Sequence, residues 1–415
     1  MRILVAADQW FPDFKGGSAR VAAETARGLA ALGHEVTVLV PRHPGAPAHE
    51  RAGNLTVLRL LRRYGLPQTF ADVAAAARHA RRLRGSAFDL ALAHEATVAV
   101  GIGAVLEIPI ALVYHASALR ELRFLRERTA SRLRRAALRA LTPPVAFLDR
   151  RAVAHAASIF TLSAFTESLL AIDHATALHK VARVSGGVDT SWFSPGDGQA
   201  AARARLGLEE GTLYVAVRRL EPRMGIDVLL QALPLLSPSD HRLAVVGDGM
   251  LRAALEQQAR DLGVADRVLF AGAVSEQELR DWYRAAVVVV VPTVAYEGFG
   301  LATVEALACG SPVVGTAVGA TPELLGPFDP RLLAADATPA GLAEALERVT
   351  AATSPDFRTA CREYAASYSW PGVMPGWEAA LAAVLERGHA SDSENGALAE
   401  MPALLAQNDR GPRDP

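Results

Sequence analysis

The sequence predicts an α/β protein with two Rossmann-like domains, each a doubly wound parallel sheet flanked by helices, facing a central cleft. Short apolar runs alternate with stretches of helical periodicity, and this alternation starts a second time after a turn-rich segment at 190–198. The length of 415 residues also exceeds the size at which a single hydrophobic core usually stops growing. We therefore expect two domains.

The first domain is predicted over residues 1–190. An apolar run at 1–7 is followed by a loop with Gly16 and Gly17, a helical stretch at 18–32 and a second apolar run at 36–40. These elements form a strand, helix, strand unit, for which parallel strands and a right-handed crossover are expected. Further strands are predicted at 55–60, 90–93, 110–114 and 158–162.

The second domain is predicted over residues 198–370. Its strands are expected at 213–217, 242–246, 267–270, 287–291 and 312–315. The last but one is a run of valines, which is typical of a strand buried on both faces, because neither face needs to be polar. A helix at about 371–388 is expected to join the first domain, and the polar segment 389–415 is predicted to be a disordered tail.

Composition limits the partners and the cellular compartment. Lys and Arg number 43 against 44 Asp and Glu, so no overall field favours nucleic acid as a partner. The two cysteines, Cys309 and Cys361, predict neither a disulfide framework nor a zinc site. The apolar run at the N-terminus is too short for a signal peptide, and no run reaches the roughly 20 residues that span a bilayer. We therefore expect a cytoplasmic protein.

The densest chemical signal follows the valine strand. Gly298 and Gly300 lie at a strand-to-helix turn, where they let backbone N–H groups approach a phosphate at the positive end of the helix. Glu297 and Glu305 place two carboxylates around this turn, and ionised carboxylates accept hydrogen bonds from the hydroxyls of a sugar and a ribose. The alternative is that both glutamates are solvated residues of a helix cap.

This segment resembles the E-x7-E signature of the retaining family 4 glycosyltransferases, the group 1 glycosyl transferases of GT-B fold. The resemblance covers most of residues 1–388. It implies a nucleoside-diphosphate sugar as donor, with UDP favoured, and transfer to an acceptor that the sequence does not identify. The matching segments are Glu297-Gly298-Phe299-Gly300 with Glu305, Gly310-Ser311-Pro312-Val313-Val314, Gly319-Ala320-Thr321-Pro322-Glu323, Gly247-Asp248-Gly249, Arg218-Arg219-Leu220-Glu221-Pro222-Arg223-Met224-Gly225 and Tyr368-Ser369-Trp370.

The resemblance implies a cation site for the diphosphate of the donor. Arg219 matches the family's pyrophosphate-binding arginine, whereas the family's lysine falls at Met224. The loss of this lysine removes a point charge from the diphosphate. Arg218 or Arg223 would have to supply the replacement cation, with the fork geometry of a guanidinium. The alternative is that all three arginines belong to a solvated loop.

The resemblance also implies contacts for the sugar, the acceptor and the remaining parts of the donor. His115 matches the histidine beside the transferred sugar, and Gly16-Gly17 matches the glycine loop near the donor phosphate and the acceptor. Glu297, His115 and Arg219 are thus the implied catalytic residues. The other implied donor-binding residues are Gly16, Gly17, Arg218, Arg223, Gly247, Gly249, Gly298, Phe299, Gly300, Leu301 and Glu305.

Members of the family retain the anomeric configuration of the transferred sugar. The resemblance implies front-side attack, in which the departing diphosphate takes the acceptor proton and protein donors stabilise the developing negative charge. The sequence has no Asp-x-Asp motif in a suitable loop, and no cofactor beyond the sugar nucleotide is implied. We therefore predict metal-independent transfer.

A basic segment at 119–141 stands apart from these motifs. Eight arginines share it with leucines at helical spacing. One interpretation is a solvated helix packed on its leucine face. The other is a helix that makes weak peripheral contact with an anionic membrane.

Three other functions compete with glycosyl transfer. A nicotinamide oxidoreductase would need a glycine fingerprint, and the nearest candidate, Gly101-Ile102-Gly103, lacks the third glycine. A sugar-nucleotide epimerase or a phosphorylase of the same fold would also need phosphate and sugar sites. A catalytically silent binding subunit is the third alternative, because Met224 replaces the family's lysine.

Overall fold

The computed structural model describes residues 1–60, 68–115, 118–129, 131–237 and 240–387. Within them the chain forms two α/β lobes, each built around its own sheet. The strands named below alternate with helices, as the repeated pattern of apolar runs predicted. The tail predicted at 389–415 lies outside the described residues.

The first lobe carries one of these sheets. Its strands are β1 (Arg2–Ala6), β2 (Glu35–Pro41), β3 (His49–Ala52), β4 (Leu55–Leu60), β5 (Leu90–Ala93), β6 (Ile110–Tyr114), β7 (Ser158–Thr161) and β8 (Val181–Arg183). Its helices are α1 (Gly17–Ala31), α2 (Gln68–Arg82), α3 (Ala96–Gly103), α4 (Ala118–Arg128), α5 (Arg132–His155) and α6 (Ala164–Asp173). The sheet order is β3-β4-β2-β1-β5-β6-β7-β8, with helical crossovers between most neighbouring strands.

The second lobe repeats this architecture. Its strands are β9 (Leu213–Val217), β10 (Arg242–Val246), β11 (Val268–Gly272), β12 (Val288–Val291), β13 (Val313–Thr316) and β14 (Leu333–Ala334). Its helices are α7 (Gln199–Arg205), α8 (Ile226–Ala232), α9 (Arg252–Asp261), α10 (Glu276–Ala285), α11 (Leu301–Ala308), α12 (Thr321–Leu325), α13 (Pro339–Ala352) and α14 (Pro355–Ala366). The sheet order is β11-β10-β9-β12-β13-β14. Both sheets are doubly wound, so the predicted fold class is confirmed.

Two element predictions were incomplete. The first sheet is not wholly parallel, because β3 pairs antiparallel with β4 at its edge. All four residues of β3 are exposed and mostly polar, so no apolar pattern marks them. The basic segment at 119–141 forms two helices, not one, since α4 ends at Arg128 and α5 begins at Arg132. The hydroxyl of Ser131 accepts a hydrogen bond from the N–H of Arg134 and caps the second helix.

The strands are buried because helices cover both faces of each sheet. The four valines of β12 are at most 1% exposed, as the continuous valine run predicted. In the first lobe, β1 and β5 show the same burial on both faces. Cys309 and Cys361 are buried free thiols, in agreement with the expectation of no disulfide between them.

The chain passes between the two lobes at two adjacent points. The N–H of Val188 donates to the carbonyl of Tyr368 at 2.8 Å, and the N–H of Trp370 donates back to Val188 at 3.2 Å. Residues 370–387 are helical and pack on the first lobe, where the indole N–H of Trp377 donates to the carbonyl of Ser185 at 2.8 Å. The two lobes are therefore joined by a pair of neighbouring crossings.

Candidate active site

The candidate site lies where the connections of each sheet diverge. In the first sheet β1 and β5 are neighbouring strands, and the chain continues from β1 towards one edge of the sheet and from β5 towards the other. In the second sheet β9 and β12 are the corresponding pair of strands. Ligands of open α/β sheets bind in the crevice at the carboxyl ends of such strands. The two edges face each other, because a Cβ atom added to Gly17 would lie 3.7 Å from Leu301, and one added to Gly298 would lie 2.6 Å from the carbonyl oxygen of His115.

The turn between β12 and α11 holds Glu297 on a constrained backbone. Tyr296 has a φ of 55°, which a non-glycine residue rarely adopts, and Gly300, with a φ of 100°, begins α11 as its N-cap. A Cβ atom at Gly319 would lie 2.5 Å from the carbonyl oxygen of Glu297, so only glycine fits beside this turn. The N–H of Ala320 donates to the same oxygen at 2.9 Å. The backbone therefore leaves the Glu297 carboxylate little freedom.

Glu297 forms a buried ion pair with Arg218. The distance from Arg218 Nη2 to Glu297 Oε2 is 2.9 Å, and the Thr293 hydroxyl donates to the same carboxylate oxygen at 2.9 Å. The Arg218 side chain is 8% exposed. Within the described residues, its Nε and Nη2 atoms have no acceptor aligned for a hydrogen bond, so the contact with Glu297 is electrostatic. A buried guanidinium with unused donors is a binding group for an anion.

Glu305 lies eight residues after Glu297, in the second turn of α11. The Tyr283 hydroxyl donates to Glu305 Oε2 at 2.8 Å, and Nε of Arg20 lies 3.3 Å from Oε1. Burial raises the pKa of the Glu305 carboxyl, and the charges of Arg20 and Arg218 oppose this rise. Arg218 therefore acts on both carboxylates: it contacts Glu297, and its positive charge lowers the pKa of Glu305.

The other two predicted cations pair with other partners. The Arg219 side chain is 55% exposed, and its Nη1 lies 3.1 Å from a carboxylate oxygen of Glu221. Arg223 donates through Nη1 to the carbonyl of Tyr296 at 3.1 Å, and its Nη2 lies 3.4 Å from Glu121 on α4. The role of Arg219 at the diphosphate stays a prediction. Of the three arginines, Arg218 is the one in contact with Glu297.

Gly247 and Gly249 lie beside the backbone of the loop that carries Arg218. A Cβ atom at Gly247 would lie 2.0 Å from the carbonyl oxygen of Arg218, and one at Gly249 would lie 2.6 Å from that of Leu220. The N–H of Leu220 donates to the carbonyl of Asp248 at 3.0 Å. These glycines allow the loops after β9 and β10 to pack together, which positions Arg218. Their contact with a donor stays a prediction.

The glycine turn also contacts the first lobe. The Ser163 hydroxyl, at the start of α6, donates to the carbonyl of Gly298 at 2.6 Å. Phe299 is buried, and a Cβ atom at Gly186 would lie 2.6 Å from its ring. The turn predicted to bind the donor is therefore part of the interface between the lobes. Leu301 faces Gly17 of the glycine loop across this interface.

His115 lies at the end of β6, as predicted, on the first-lobe side of the interface. Its Nε2 lies 3.2 Å from Nδ1 of His94, and the two rings stack with centroids 5.4 Å apart. Burial lowers the pKa of His115 to about 4, so the ring is neutral near pH 7. A neutral imidazole can donate or accept one hydrogen bond at a sugar hydroxyl without adding charge.

Two residues of the interface were missed by sequence reasoning. Arg20 reaches from α1 to Glu305 and Glu276 of the second lobe. A signal existed, because an arginine in the first turn of a helix opposes the helix dipole and requires a nearby anion. The carboxylate of Glu323 accepts hydrogen bonds from the N–H groups of Ala164 and Phe165, at 2.7 and 2.8 Å. Nothing in the sequence indicates that Glu323 caps a helix of the other lobe.

The described residues form cavities in the first lobe and between the lobes. One of about 540 Å³ is in the first lobe and is lined by Trp10, Arg27, Glu50 and Arg59 among others. Another of about 310 Å³ lies between the lobes and is lined by Ser163, Phe299, Glu323 and Tyr368 among others. Neither is lined by Glu297 or Glu305. The side chains of Arg218 and Arg20 lie against these carboxylates.

Solved structures share the two-lobed arrangement over nearly the whole chain. Sucrose-phosphate synthase from Thermosynechococcus elongatus matches with a TM-score of 0.73 and 22% identity, over 96% of this chain and 100% of that one. HepE of Anabaena, in complex with UDP-glucose, matches with a TM-score of 0.67 and 18% identity, over 92% of this chain and 100% of that one. At these identities the likeness shows the fold alone, and that fold is GT-B.

Family models identify the chain more closely. The model described as Glycosyltransferase Family 4 matches residues 15–192, and the model described as Glycosyl transferases group 1 matches residues 211–352. Together they cover well over half of the chain. The chain therefore belongs to the family 4, group 1 glycosyltransferases, as the motifs around Glu297 and Glu305 predicted.

Curated relatives match part of the chain. A D-inositol 3-phosphate glycosyltransferase of Frankia alni is 42% identical over 179 residues, which is 40% of this chain and 43% of that protein. The chain spans about half the length of the curated relatives that it matches. Family membership follows from the family models, and these partial matches do not give the particular substrates.

Proposed function

We propose that this chain is a retaining glycosyltransferase that transfers a sugar from a nucleoside-diphosphate donor, with UDP favoured, to a hydroxyl group of an acceptor. One observation carries this function. Arg218 is a buried cation in contact with Glu297 and within the electrostatic range of Glu305. In a sugar nucleotide the diphosphate separates the ribose from the sugar, so a cation between two polyol-binding carboxylates matches the donor. The complex of HepE with UDP-glucose supports the choice of donor.

In this proposal Arg218 takes the place of the lysine that the family has at Met224. Arg219 is largely exposed, and Arg223 is engaged by Tyr296 and Glu121. Arg218 is the one of the three whose buried nitrogens lack an aligned acceptor within the described residues. A bound diphosphate would supply acceptors to these nitrogens.

The proposed reaction is front-side displacement at the anomeric carbon. The bond from this carbon to the diphosphate oxygen breaks while the acceptor oxygen forms the new glycosidic bond, and the leaving diphosphate takes the acceptor proton. Arg218 and the first amides of α11 stabilise the charge that develops on the diphosphate. Glu297 and neutral His115 orient the sugar, and neither forms a bond to it. No metal ion is required in this scheme, and the described residues include no group of three or more His, Cys, Asp or Glu side chains that could hold one.

A panel of sugar nucleotides tests the donor. We expect UDP-glucose to raise the melting temperature more than the GDP-, ADP- and dTDP-sugars do. A ligand present at about 100 times its dissociation constant stabilises the native state by about 2.7 kcal/mol, which such a scan resolves. If none of these compounds shifts the transition, the proposed donor class is wrong.

The transfer step needs a second measurement. We expect UDP release from UDP-glucose to depend on an added acceptor, and D-inositol 3-phosphate is the first to test because related chains are named for it. Conversion of UDP-glucose into another sugar nucleotide without acceptor would instead identify an epimerase. Cleavage that depends on inorganic phosphate would identify a phosphorylase.

Peripheral membrane contact through α4 and α5 is a further part of this proposal. No helix among the described residues is long and apolar enough to cross a bilayer. No residue of α4 is fully buried, and Leu133, next to exposed Arg132 and Arg134 at the start of α5, is 86% exposed. An exposed apolar side chain among arginines suits the surface of an anionic bilayer. Not every arginine is available, since Arg120 forms a bidentate pair with Asp173.

Sedimentation with vesicles tests the membrane contact. We expect the protein to sediment with vesicles that contain phosphatidylglycerol at low ionic strength, and to be released by salt, because exposed charges are screened. The double variant Arg132→Gln, Arg139→Gln should bind less. The variant Arg81→Gln, Arg82→Gln removes the same charge from exposed positions on α2 and should bind normally. No sedimentation at low salt, or equal loss in both variants, would exclude this surface.

A further inference from the structure

Arg20 is the one charged side chain of α1 that the described contacts place against the carboxylates of the second lobe. It lies in the first turn of α1, directly after the glycine loop. Its Nε is 3.3 Å from Oε1 of Glu305, and its Nη2 pairs with Oε2 of Glu276, the first residue of α10. The side chain is 14% exposed. One guanidinium therefore bridges two carboxylates of the opposite lobe.

This position is unfavourable for an arginine unless the carboxylates compensate it. A positive charge near the N-terminus of a helix opposes the helix dipole, and burial of a charge costs free energy. Burial favours the neutral form of Arg20, yet the fields of Glu305 and Glu276 outweigh it and raise its pKa. The rings of Phe11 and Phe193 lie 4.1 and 5.5 Å from the guanidinium carbon and limit its movement. The Arg20 side chain is thus held in place by contacts from both lobes.

The protein contacts of the Glu305 carboxylate do not use all of its hydrogen-bonding capacity. An ionised carboxylate offers about four acceptor positions. Arg20 occupies one on Oε1, and the Tyr283 hydroxyl occupies one on Oε2. Two positions remain on the carboxylate, which is the number that two adjacent hydroxyls of a ribose would use. The titratable groups that act on Glu305 are Arg20 from α1, Tyr283 and Glu276 from α10, Arg218 after β9, and Cys309 at the end of its own helix.

We propose that Arg20 is a positioning residue that orients Glu305 for the ribose of the donor, so that donor recognition by the second lobe depends on a side chain of the first. This inference rests on the proposed function. Because Arg20 follows the glycine loop and Gly17 faces Leu301, the contact forms only while the two edges are closed on each other. Closure of the lobes and capture of the donor are then coupled through one guanidinium.

Calorimetric titration with UDP-glucose tests this role. We expect Arg20→Met to weaken binding at pH 7.5 by about tenfold, which corresponds to the loss of one charge-assisted contact. Arg20→Lys, which keeps the charge without the fork, should fall between Arg20→Met and the unmodified protein. Arg27→Met is the matched control, because Arg27 lies two turns later on α1 and pairs with Glu24 of the same helix. It should bind UDP-glucose normally, and melting curves of all variants report whether they fold.

The pH dependence separates positioning from a merely structural role. Arg20 lowers the pKa of Glu305 against the effect of burial, so its removal raises that pKa further. In the Arg20→Met variant the Glu305 carboxyl then takes up a proton at a higher pH, so as the pH is lowered the affinity of this variant for UDP-glucose should begin to fall at a higher pH than that of the unmodified protein. Parallel pH profiles, or unchanged or tighter binding by Arg20→Met, would overturn the inference. Failure of the unmodified protein to bind UDP-glucose or any other sugar nucleotide would instead overturn the proposed function.

Discussion

Replacing Glu297 with glutamine is expected to slow sugar transfer by about 10²- to 10³-fold. The amide keeps the shape of the side chain and an oxygen for the Thr293 hydroxyl, but it removes the negative charge 2.9 Å from Arg218. A neutral amide orients a sugar hydroxyl less firmly, and Arg218 loses the counter-charge that holds it beside the reacting bond. The measurement is the initial rate of UDP release from UDP-glucose with a working acceptor.

Glutamine is a sharper test than alanine at this position. Both substitutions leave the Arg218 charge without its partner, but alanine also removes the atoms that fill this buried position and the oxygen that accepts from the Thr293 hydroxyl. Glu297→Ala would therefore combine a loss of stability with a loss of function. Glu344→Gln, on the exposed face of α13, is the control for the substitution itself. A rate for Glu297→Gln within about threefold of the unmodified protein would remove Glu297 from the catalytic site.

Replacing Arg218 with methionine is expected to lower kcat/KM by about 100-fold, as the loss of charge-assisted hydrogen bonds to a diphosphate predicts. Methionine keeps an unbranched chain in this buried position and removes only the cation. The same substitution at Arg252, which pairs with Glu256 on α9, should leave kcat/KM unchanged. Steady-state kinetics with UDP-glucose measures both.

A second substitution shows whether Arg218 replaces the missing lysine. Met224 is buried at the end of the same loop, so Met224→Lys adds a cation at the position where the family carries one. We expect the double variant Arg218→Met, Met224→Lys to recover at least about tenfold in kcat/KM over Arg218→Met alone. Full activity in Arg218→Met, together with a large loss in Arg219→Met, would show that Arg219 and not Arg218 binds the diphosphate.

The strands were predictable because their sequence pattern does not depend on distant contacts. Val288–Val291 and Leu213–Val217 are covered on both faces, so the whole run is apolar and visible in the sequence. The edge strand β3 was not predictable from the sequence. Its four residues are exposed and form a strand only by pairing with β4. The break between α4 and α5 was signalled weakly, by Ser131 as a helix cap.

The carboxylates were predictable for a different reason. Glu297 and Glu305 stand on one turn and one helix, so their spacing and the glycines between them carry the motif without any long-range contact. The choice among Arg218, Arg219 and Arg223 was open, because the direction of a side chain after a strand depends on what packs against the loop. Here Gly247 lies against the carbonyl of Arg218.

The sequence by itself determined the two doubly wound sheets, the family and the positions of the two glutamates around the turn between β12 and α11. These depend on local periodicity and on short backbone motifs, which a single chain displays directly. Only the tertiary structure decided that Arg218 contacts Glu297, that Arg20 reaches Glu305 and that Glu323 caps a helix of the other lobe. Each of these contacts joins residues far apart in the chain. The contacts stabilise the protein only after folding has buried these groups and brought them together.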